Sequence, residues 1–190
     1  MNILAIDTTS TGLSIALVKG DKTYSFTKQI GKSGHSATLM PEIDNMLKSH
    51  DVNVNDLDVV AVNVGPGSFT GIRIGVSAMT AIAFATGAKR VAVTTFELIA
   101  HQRENILAAV DAGHGNTYLA KCENGKVFSA SFCEAGENID LKDAEYQPLK
   151  SVDETLAEVV SQKAKNGEFV NVFEPFYMRK SQAEREKDEV

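Results

Sequence analysis

The chain has no tryptophan, only two cysteines and four prolines in 190 residues, and its 19 lysines and arginines are scattered. Cys122 and Cys133 lack the Cys-x-x-Cys spacing of metal and redox motifs, so we expect free, reduced thiols. The formal net charge is −6. Because autonomous binding of nucleic acid relies on clustered cations that neutralise phosphates, this composition argues against it.

Targeting signals and membrane spans are also missing from the pattern. The apolar start is interrupted by Asp7, too early for a signal sequence, and no apolar run approaches the roughly 18 residues that a membrane span needs. We therefore expect a cytoplasmic protein. The hydrophobic share of 43% and the charged share of 23% predict a globular chain and exclude disordered and fibrous classes.

A glycine-rich stretch is the most distinctive feature that the sequence does contain. Gly65–Gly75 follows the β-branched run Val59–Val64, and together they predict a buried strand, a tight turn and then a helix. The glycines permit a close approach to another surface, either a phosphate or a protein. Their spacing fits neither the dinucleotide fingerprint nor a Walker-type loop, which favours close packing at a subunit contact.

The helix predicted behind this turn has no charged residue between Ile74 and Ala88. A helix that is apolar all round is normally buried on more than one side. In a chain of this size, one side would face the chain's own sheet. The other side would face either a second layer of the same molecule or another subunit, and the pattern alone leaves both open.

The first half of the chain predicts an α/β unit. Three short strands, at residues 2–7, 13–18 and 23–27, form a meander. A helix at 36–50 and then alternating strands and helices follow, up to residue 103. Parallel strands with helices between them are the expected arrangement.

Two positions in this unit are candidates for chemistry. Asp7 ends the first strand and precedes two threonines, which suits either a metal-bound phosphate or a cap of the turn through nearby backbone amides. His35 precedes the helix, where a metal site would want a second histidine four residues on. Leu39 stands at that position, which argues against a metal.

From residue 105 the pattern repeats at a constant offset of 104, which aligns Asp111 with Asp7 and Leu119 with Ile15. This duplication predicts a complete domain at 1–103 and a reduced second domain at 104–168, whose helix begins near Val152. The remaining segment, 169–190, is expected to pack back toward the first domain and to end in a solvated, charged helix.

Two strand-strand-strand-helix units, each with an aspartate closing its first strand, resemble the actin-like ATPase and sugar-kinase superfamily, a ribonuclease-H-like α/β fold. Within it, four stretches closely resemble the bacterial TsaB (YeaZ) family, namely Ile3–Thr9, His35–Pro41, Gly65–Gly75 and Pro175–Arg179. The Gly-Pro-Gly-Ser-Phe-Thr-Gly run is highly specific to that family. The resemblance is strongest up to residue 103 and weak from Lys121 to Gly167.

The resemblance implies a non-catalytic subunit in the synthesis of threonylcarbamoyladenosine in tRNA. Its implied partners are the paralogous transferase TsaD and the ATPase TsaE, with a homodimer when the chain is alone. It further implies no membrane partner, contact with tRNA only through the complex, no metal, and no cofactor except ATP at the interface of the complex. In TsaD the metal sits on a His-x-x-x-His helix. This chain has Leu39 in place of the second histidine, so the missing ligand agrees with the implied absence of a metal.

The resemblance also assigns site residues, none of them catalytic. The two predicted helices 36–50 and 71–87 are expected to form the partner or dimer interface, which comprises Leu39, Met40, Ile43, Met46, Phe69, Arg73, Val76, Met79 and Ala83. The vestigial nucleotide site comprises Asp7, Thr8, Thr9, Gly65, Gly67 and Asp111. Where the family usually has Asp-Ala-Arg, this chain departs from it with Asp111-Ala112-Gly113.

Two enzyme hypotheses stand as alternatives. An actin-like ATPase or kinase would use Asp7 and Asp111 around a magnesium phosphate, but it needs two phosphate turns with a close glycine approach, and Thr8 and Thr9 occupy the first turn. A glycoprotease-like metallopeptidase would need His-Glu-x-x-His or another pair of ligands, which the sequence lacks.

Overall fold

The computed structural model describes residues 1–30, 34–137 and 141–179, so the predicted charged helix at 181–190 lies outside the described residues. The strands and helices follow the predicted order, with one additional two-residue strand, Ala144–Glu145, that was not predicted. They are β1 (Asn2–Asp7), β2 (Gly12–Lys19), β3 (Lys22–Gln29), α1 (His35–Ser49), β4 (Val59–Asn63), α2 (Phe69–Thr86), β5 (Lys89–Val93), α3 (Thr95–Ala100), β6 (Asn105–Gly113), β7 (Asn116–Glu123), β8 (Lys126–Cys133), β9 (Ala144–Glu145) and α4 (Val152–Lys165).

The first sheet has the strand order β3-β2-β1-β4-β5. Its first three strands are antiparallel, as the meander predicts, and β4 and β5 continue parallel to β1. In the parallel register of β1 and β4, Ile6 lies beside Val62. Asp7 and Asn63, which follow these two residues, therefore lie side by side at one edge of the sheet.

Both faces of this sheet are covered, because neighbouring residues of a strand point to opposite sides. On β1, Leu4 and Ile6 pack with α1 and α2, whereas Ile3 and Ala5 pack with α4. The sequence pattern grouped α4 with the second unit. The structure instead packs its apolar stripe on the first sheet, because that sheet has a second apolar face that needs a covering layer.

Helix α2 has clear start and stop signals. Ser68 Oγ accepts a hydrogen bond from Gly71 N at 3.2 Å, and the helix ends at Gly87, whose φ is 74°. By length and composition alone, this 18-residue helix could cross a membrane. We expected no apolar run of that length from the sequence, so this expectation is wrong. In this fold α2 packs on β4 and buries Met79 completely, as a core helix does.

The second sheet is smaller and has the order β8-β7-β6-β9. Its β6–β7 hairpin repeats the β1–β2 hairpin, but the pairing differs by one residue. Ala5 faces Ala16 in the first hairpin, whereas Ala109, its counterpart, faces Leu119 in the second. The offset of 104 is therefore wrong in β7, where Leu119 corresponds to Ala16 and not to Ile15.

The cause of this slip is the connection between the strands. The second hairpin turns through only two residues, His114 and Gly115, whereas residues 8–11 connect β1 to β2. An irregularity in β6 between Asp111 and Gly113 adjusts the pairing. The second hairpin therefore aligns with the first at an offset of 104 in β6 and of 103 in β7.

The C-terminal segment lies against the first unit. Val170 N donates to Arg90 O at 2.9 Å, which places the segment along the outer edge of β5. Phe173 is 3% exposed and packs in the cluster beneath α1 and α2. Phe176 N donates to Val64 O at 2.8 Å, which brings the segment to the glycine-rich stretch.

Candidate functional site: a filled turn and an exposed helix face

Asp7 lies at the end of β1, is 5% exposed, and uses both carboxylate oxygens inside the molecule. Oδ1 accepts from the backbone N and from Oγ1 of Thr9, each at 2.7 Å. Oδ2 accepts from Asn63 Nδ2 at 2.8 Å, and Asn63 Oδ1 accepts from Gly65 N at 3.0 Å. Of the two roles left open by the sequence, the structure shows the turn cap, extended by Asn63.

The glycine-rich stretch fills the turn made by Thr8 and Thr9. Ser68 N donates to Thr9 O at 2.6 Å, and Thr8 Oγ1 donates to Gly71 O at 2.8 Å. A Cβ at Gly67 would lie 2.5 Å from Thr9 O, and a Cβ at Gly71 would overlap Thr8 O. The expectation that these glycines serve a subunit contact is wrong, because their close approach is to the chain's own turn.

Of the six residues predicted for the vestigial nucleotide site, five lie together at this turn and Asp111 does not. Gly65, with φ of 109°, closes the cluster of Asp7, Thr8, Thr9 and Gly67. Asp111 is exposed on the second sheet, where its Oδ1 accepts from the backbone N of the nearby Gly113 at 2.7 Å. Among the hydrogen bonds of the described residues, none joins Asp111 to this cluster.

His35 is buried at the start of α1 and contacts a backbone carbonyl of β2. It is 8% exposed, and its Nε2 lies 3.0 Å from Gly12 O, which connects the start of α1 to β2. In the described ranges, no group of three histidine, cysteine, aspartate or glutamate side chains gathers as metal ligands would.

The nine residues predicted for the interface divide by burial. Five of them are at most 7% exposed and belong to the core beneath the helices, namely Leu39, Ile43, Met46, Met79 and Ala83. In this fold they face the sheet, because the helical spacing that selected them marks the buried side of each helix. The other four reach the surface at least in part, namely Met40, Phe69, Arg73 and Val76.

Sequence reasoning missed the outer side of α2. Phe84 is 85% exposed, and Ala81 and Ala85 are exposed on the same helix. On the adjacent α1, Met40 is 50% exposed. We call these four residues the helix face. The missing charge between residues 74 and 88 was its signal, since it leaves the outer side of α2 as uncharged as the inner side.

The first turn of α2 is joined to the C-terminal segment. The Arg73 guanidinium lies 3.9 Å from the centre of the Phe69 ring, and Arg73 Nε donates to Tyr177 Oη at 3.1 Å. The rings of Phe69 and Tyr177 stack at 4.7 Å. Three of the four stretches that carry the family resemblance therefore meet at one place, around the Gly65–Gly75 turn.

Comparisons with known proteins show which proteins this chain resembles. Residues 29–158 match the family model of TsaD, described as tRNA N6-adenosine threonylcarbamoyltransferase. The chain is similar to the tRNA threonylcarbamoyladenosine biosynthesis protein TsaB of Haemophilus influenzae, at 31% identity over 68% of this chain and 57% of the relative. The Bacillus subtilis protein of the same name is 35% identical over 66% of this chain and 57% of the relative.

Two solved structures share the α/β fold of this chain. A Pseudomonas aeruginosa protein described as similar to peptidase YeaZ matches with a TM-score of 0.77 at 22% identity, over 94% of this chain and 99% of that one. YeaZ from the same organism matches with a TM-score of 0.72 at 23% identity, over 89% and 94%. The matched sequence spans little more than half of each TsaB relative. The family model over residues 29–158 is that of TsaD and the named relatives are TsaB proteins, so the chain belongs to the TsaD/TsaB (YeaZ) family.

Proposed function

We propose that this chain is a non-catalytic scaffold subunit in the biosynthesis of threonylcarbamoyladenosine in tRNA. It binds and supports a TsaD-type transferase, together with the ATPase TsaE, and tRNA is contacted by the complex rather than by this subunit. The names of its relatives suggest the pathway. The observation that carries the non-catalytic role is the filled turn next to Asp7.

A phosphate at the end of a strand needs free backbone N–H groups and open space in front of them. Here Thr9 N already donates to Asp7, and the Ser68 amide and Gly67 occupy the space beside Thr9 O. A magnesium-bound phosphate would also need the Asp7 carboxylate, whose two oxygens accept three hydrogen bonds from Thr9 and Asn63. Binding there would require this packing to open.

The helix face supports the binding role. Phe84 is far more exposed than an aromatic ring usually is, and it belongs to a helix without charge from residue 74 onward. Cores of protein interfaces are depleted in charge and enriched in aromatic residues and methionine, which Phe84 and Met40 supply. The same face would serve a homodimer, so we expect homodimer and heterodimer to compete.

Mixing the full chain with the TsaD-type protein of the same organism tests the proposal. We expect a heterodimer by light scattering after size-exclusion chromatography. Phe84→Asp should weaken it at least about tenfold, since it places a charge inside the apolar contact. Phe128→Asp is the matched control, because Phe128 is also an exposed ring, 75% exposed, but lies on the second sheet. Equal binding by both variants would contradict the surface assignment.

The pathway is tested in cells by depleting the protein and measuring threonylcarbamoyladenosine in tRNA nucleosides. We expect the modified nucleoside to fall, and to be restored by the wild type and by Phe128→Asp but not by Phe84→Asp. Unchanged nucleoside after depletion would contradict the function. Titration of the isolated chain with ATP and magnesium tests the enzyme alternative, which micromolar affinity with turnover would favour.

A further inference from the structure

Helix α2 carries a single charged side chain, that of Arg73 in its second turn. Four exposed residues follow one another along the helix at intervals of four, four and three, namely Arg73, Ser77, Ala81 and Phe84. Residues at such intervals lie on one side of a helix. Arg73 therefore continues the outer side of α2 beyond the helix face, about 16 Å from Phe84 at 1.5 Å per residue.

Two aromatic rings and a hydrogen bond hold the guanidinium group of Arg73 in place. The group lies 3.9 Å from the centre of the Phe69 ring, and its Nε donates to Tyr177 Oη at 3.1 Å. The Tyr177 ring is itself fixed, because it stacks on Phe69 at 4.7 Å and its neighbour Phe176 donates its backbone N–H to Val64 O. An arginine held in this way loses less conformational freedom when it binds.

The two terminal nitrogens of Arg73, Nη1 and Nη2, have no protein partner in the part of the chain that the structure describes. Within residues 1–30, 34–137 and 141–179, neither nitrogen donates a hydrogen bond and no ion pair joins Arg73 to a carboxylate. These two nitrogens form the fork with which arginine binds a carboxylate through two parallel hydrogen bonds. Arg73 is therefore positioned as one half of an ion pair.

A second copy of this chain would bring no free carboxylate to Arg73 from its own α1 and α2. Helix α2 contains no acid. The two acids of α1 are Glu42 and Asp44, which pair with Lys28 and Lys48, each at 2.7 Å. A homodimer formed through these helices would therefore place an unpaired guanidinium group beside the contact in both copies, and an unpaired charge in an interface costs affinity.

We propose that Arg73 determines the specificity of the surface around the helix face, because it binds an aspartate or glutamate of a partner with a different sequence and disfavours a second copy of this chain. The partner surface combines a recess for the Phe84 ring with a carboxylate about 16 Å away. The proposal rests on the proposed function and assigns this carboxylate to the TsaD-type partner. Discrimination arises from an ion pair in the heterodimer and an unpaired cation in the homodimer.

Arg73→Gln in the full chain tests the ion pair, because it removes both the charge and the fork. The dissociation constant with the TsaD-type partner should rise at least about tenfold, whereas that of the homodimer should not rise by more than about threefold. Arg179→Gln is the matched control, because the Arg179 guanidinium also lies over a ring, that of Phe132 at 4.7 Å, on the second sheet. It should leave both constants within about threefold. Titration calorimetry measures the heterodimer, and analytical ultracentrifugation measures the homodimer.

A charge-reversal scan separates direct pairing from a supporting role of Arg73 in the fold. Arg73→Glu should weaken the heterodimer more than Arg73→Gln, because it sets two carboxylates against each other. Each exposed aspartate and glutamate of the TsaD-type partner is then replaced in turn by arginine. One such replacement should return the affinity for Arg73→Glu to within about tenfold of the wild-type pair, which a merely structural role of Arg73 would not allow.

Equal weakening of homodimer and heterodimer by Arg73→Gln would overturn the proposal, and so would a scan in which no partner variant restores binding. A heterodimer that Arg73→Gln leaves unchanged, while Phe84→Asp weakens it, would also overturn the proposal and leave the proposed function standing. A wild-type chain that forms no complex with the TsaD-type partner would contradict both.

Discussion

Asn63 donates its side-chain amide to Asp7 Oδ2 at 2.8 Å, and so joins the ends of the parallel strands β4 and β1. The same amide group orients the next turn, because Asn63 Oδ1 accepts from Gly65 N. Thr95 Oγ1 lies 3.1 Å from Asn63 Nδ2 and donates to Pro66 O. Asp7 therefore serves as the anchor of a buried polar network that shapes the glycine-rich turn.

Replacing Asn63 by aspartate would place two buried carboxylates side by side. They resist ionising together, so the pair would retain a proton in the folded state, with a pKa above the ordinary value of about 4. The folded state then binds more protons than the unfolded state. The stability of Asn63→Asp should therefore fall as the pH rises from about 4 toward neutrality.

Urea denaturation at several pH values measures this dependence. Asn63→Ala is the control, because it removes the amide without adding a carboxylate, and its deficit relative to the wild type should vary much less with pH. A deficit of Asn63→Asp that stays constant with pH would contradict the close contact between positions 63 and 7.

Gly71→Ala should destabilise the protein by about 1–3 kcal/mol, because the new methyl group would overlap the Thr8 carbonyl in a packed turn. Gly12→Ala is the matched control, since a Cβ there meets its nearest atom at an ordinary 3.5 Å. That variant should stay within about 1 kcal/mol of the wild type. Chemical denaturation measures the stability of both variants. A loss of stability in Gly71→Ala no larger than in Gly12→Ala would contradict the close contact between Gly71 and the Thr8 carbonyl.

The order of strands and helices was predictable because it depends on local periodicity. The continuous apolar run Ile3–Ile6 of β1, which is buried throughout, and the uncharged run of α2 are both visible in the sequence. What was not predictable depends on distant segments. Nothing near Leu156 indicates that it packs on the first sheet, and nothing near Gly71 indicates that Thr8 fills its approach.

The interface prediction failed in part for a related reason. Three- and four-residue spacing identifies the buried side of a helix, so it selected Met79 and Ala83. The partner surface that we propose is on the opposite side, which in α2 carries no pattern of its own. Phe84 could have been found only by asking which residues of an uncharged helix the sheet cannot cover.

The docking of α4 on the first sheet has a pH-dependent component at Asp153. Burial opposes its ionisation, but hydroxyl groups of Ser25, Ser151 and Thr27 donate to the carboxylate and lower the pKa of Asp153 below its ordinary value. The ionised group therefore stabilises the fold at neutral pH. This contribution is lost as the pH falls below about 4 toward the lowered pKa.

Asp153→Asn should accordingly be less stable than the wild type at pH 7, and the difference should shrink in acid. Thermal unfolding across this pH range measures it. Glu154→Gln changes the neighbouring acid, which is exposed, and should show little difference at any pH. A deficit of Asp153→Asn that persists in acid would mean that the hydroxyl groups do not favour the ionised form.

Cys122 should be unreactive in the native protein. It is 2% exposed, and burial, with a smaller effect of Glu97, raises the pKa of its thiol to about 11. Since the thiolate is the reactive form, labelling with a disulfide reagent at pH 8 should require unfolding. Peptide mass spectrometry with and without urea locates the label, and labelling of native Cys122 at the rate of a free thiol would contradict its burial.

Met79 and Phe84 lie on opposite sides of α2, at 0% and 85% exposure. The same substitution should therefore reduce stability strongly at Met79 and hardly at all at Phe84. Met79→Asp buries an unpaired charge and should cost more than about 3 kcal/mol of stability. Phe84→Asp should change stability by no more than about 0.5 kcal/mol. Circular dichroism melts, run beside the binding assay, separate the two effects. Loss of binding by Met79→Asp would report only unfolding, so the partner surface is tested at Phe84. Equal melting temperatures for both variants would mean that α2 is rotated relative to the sheet.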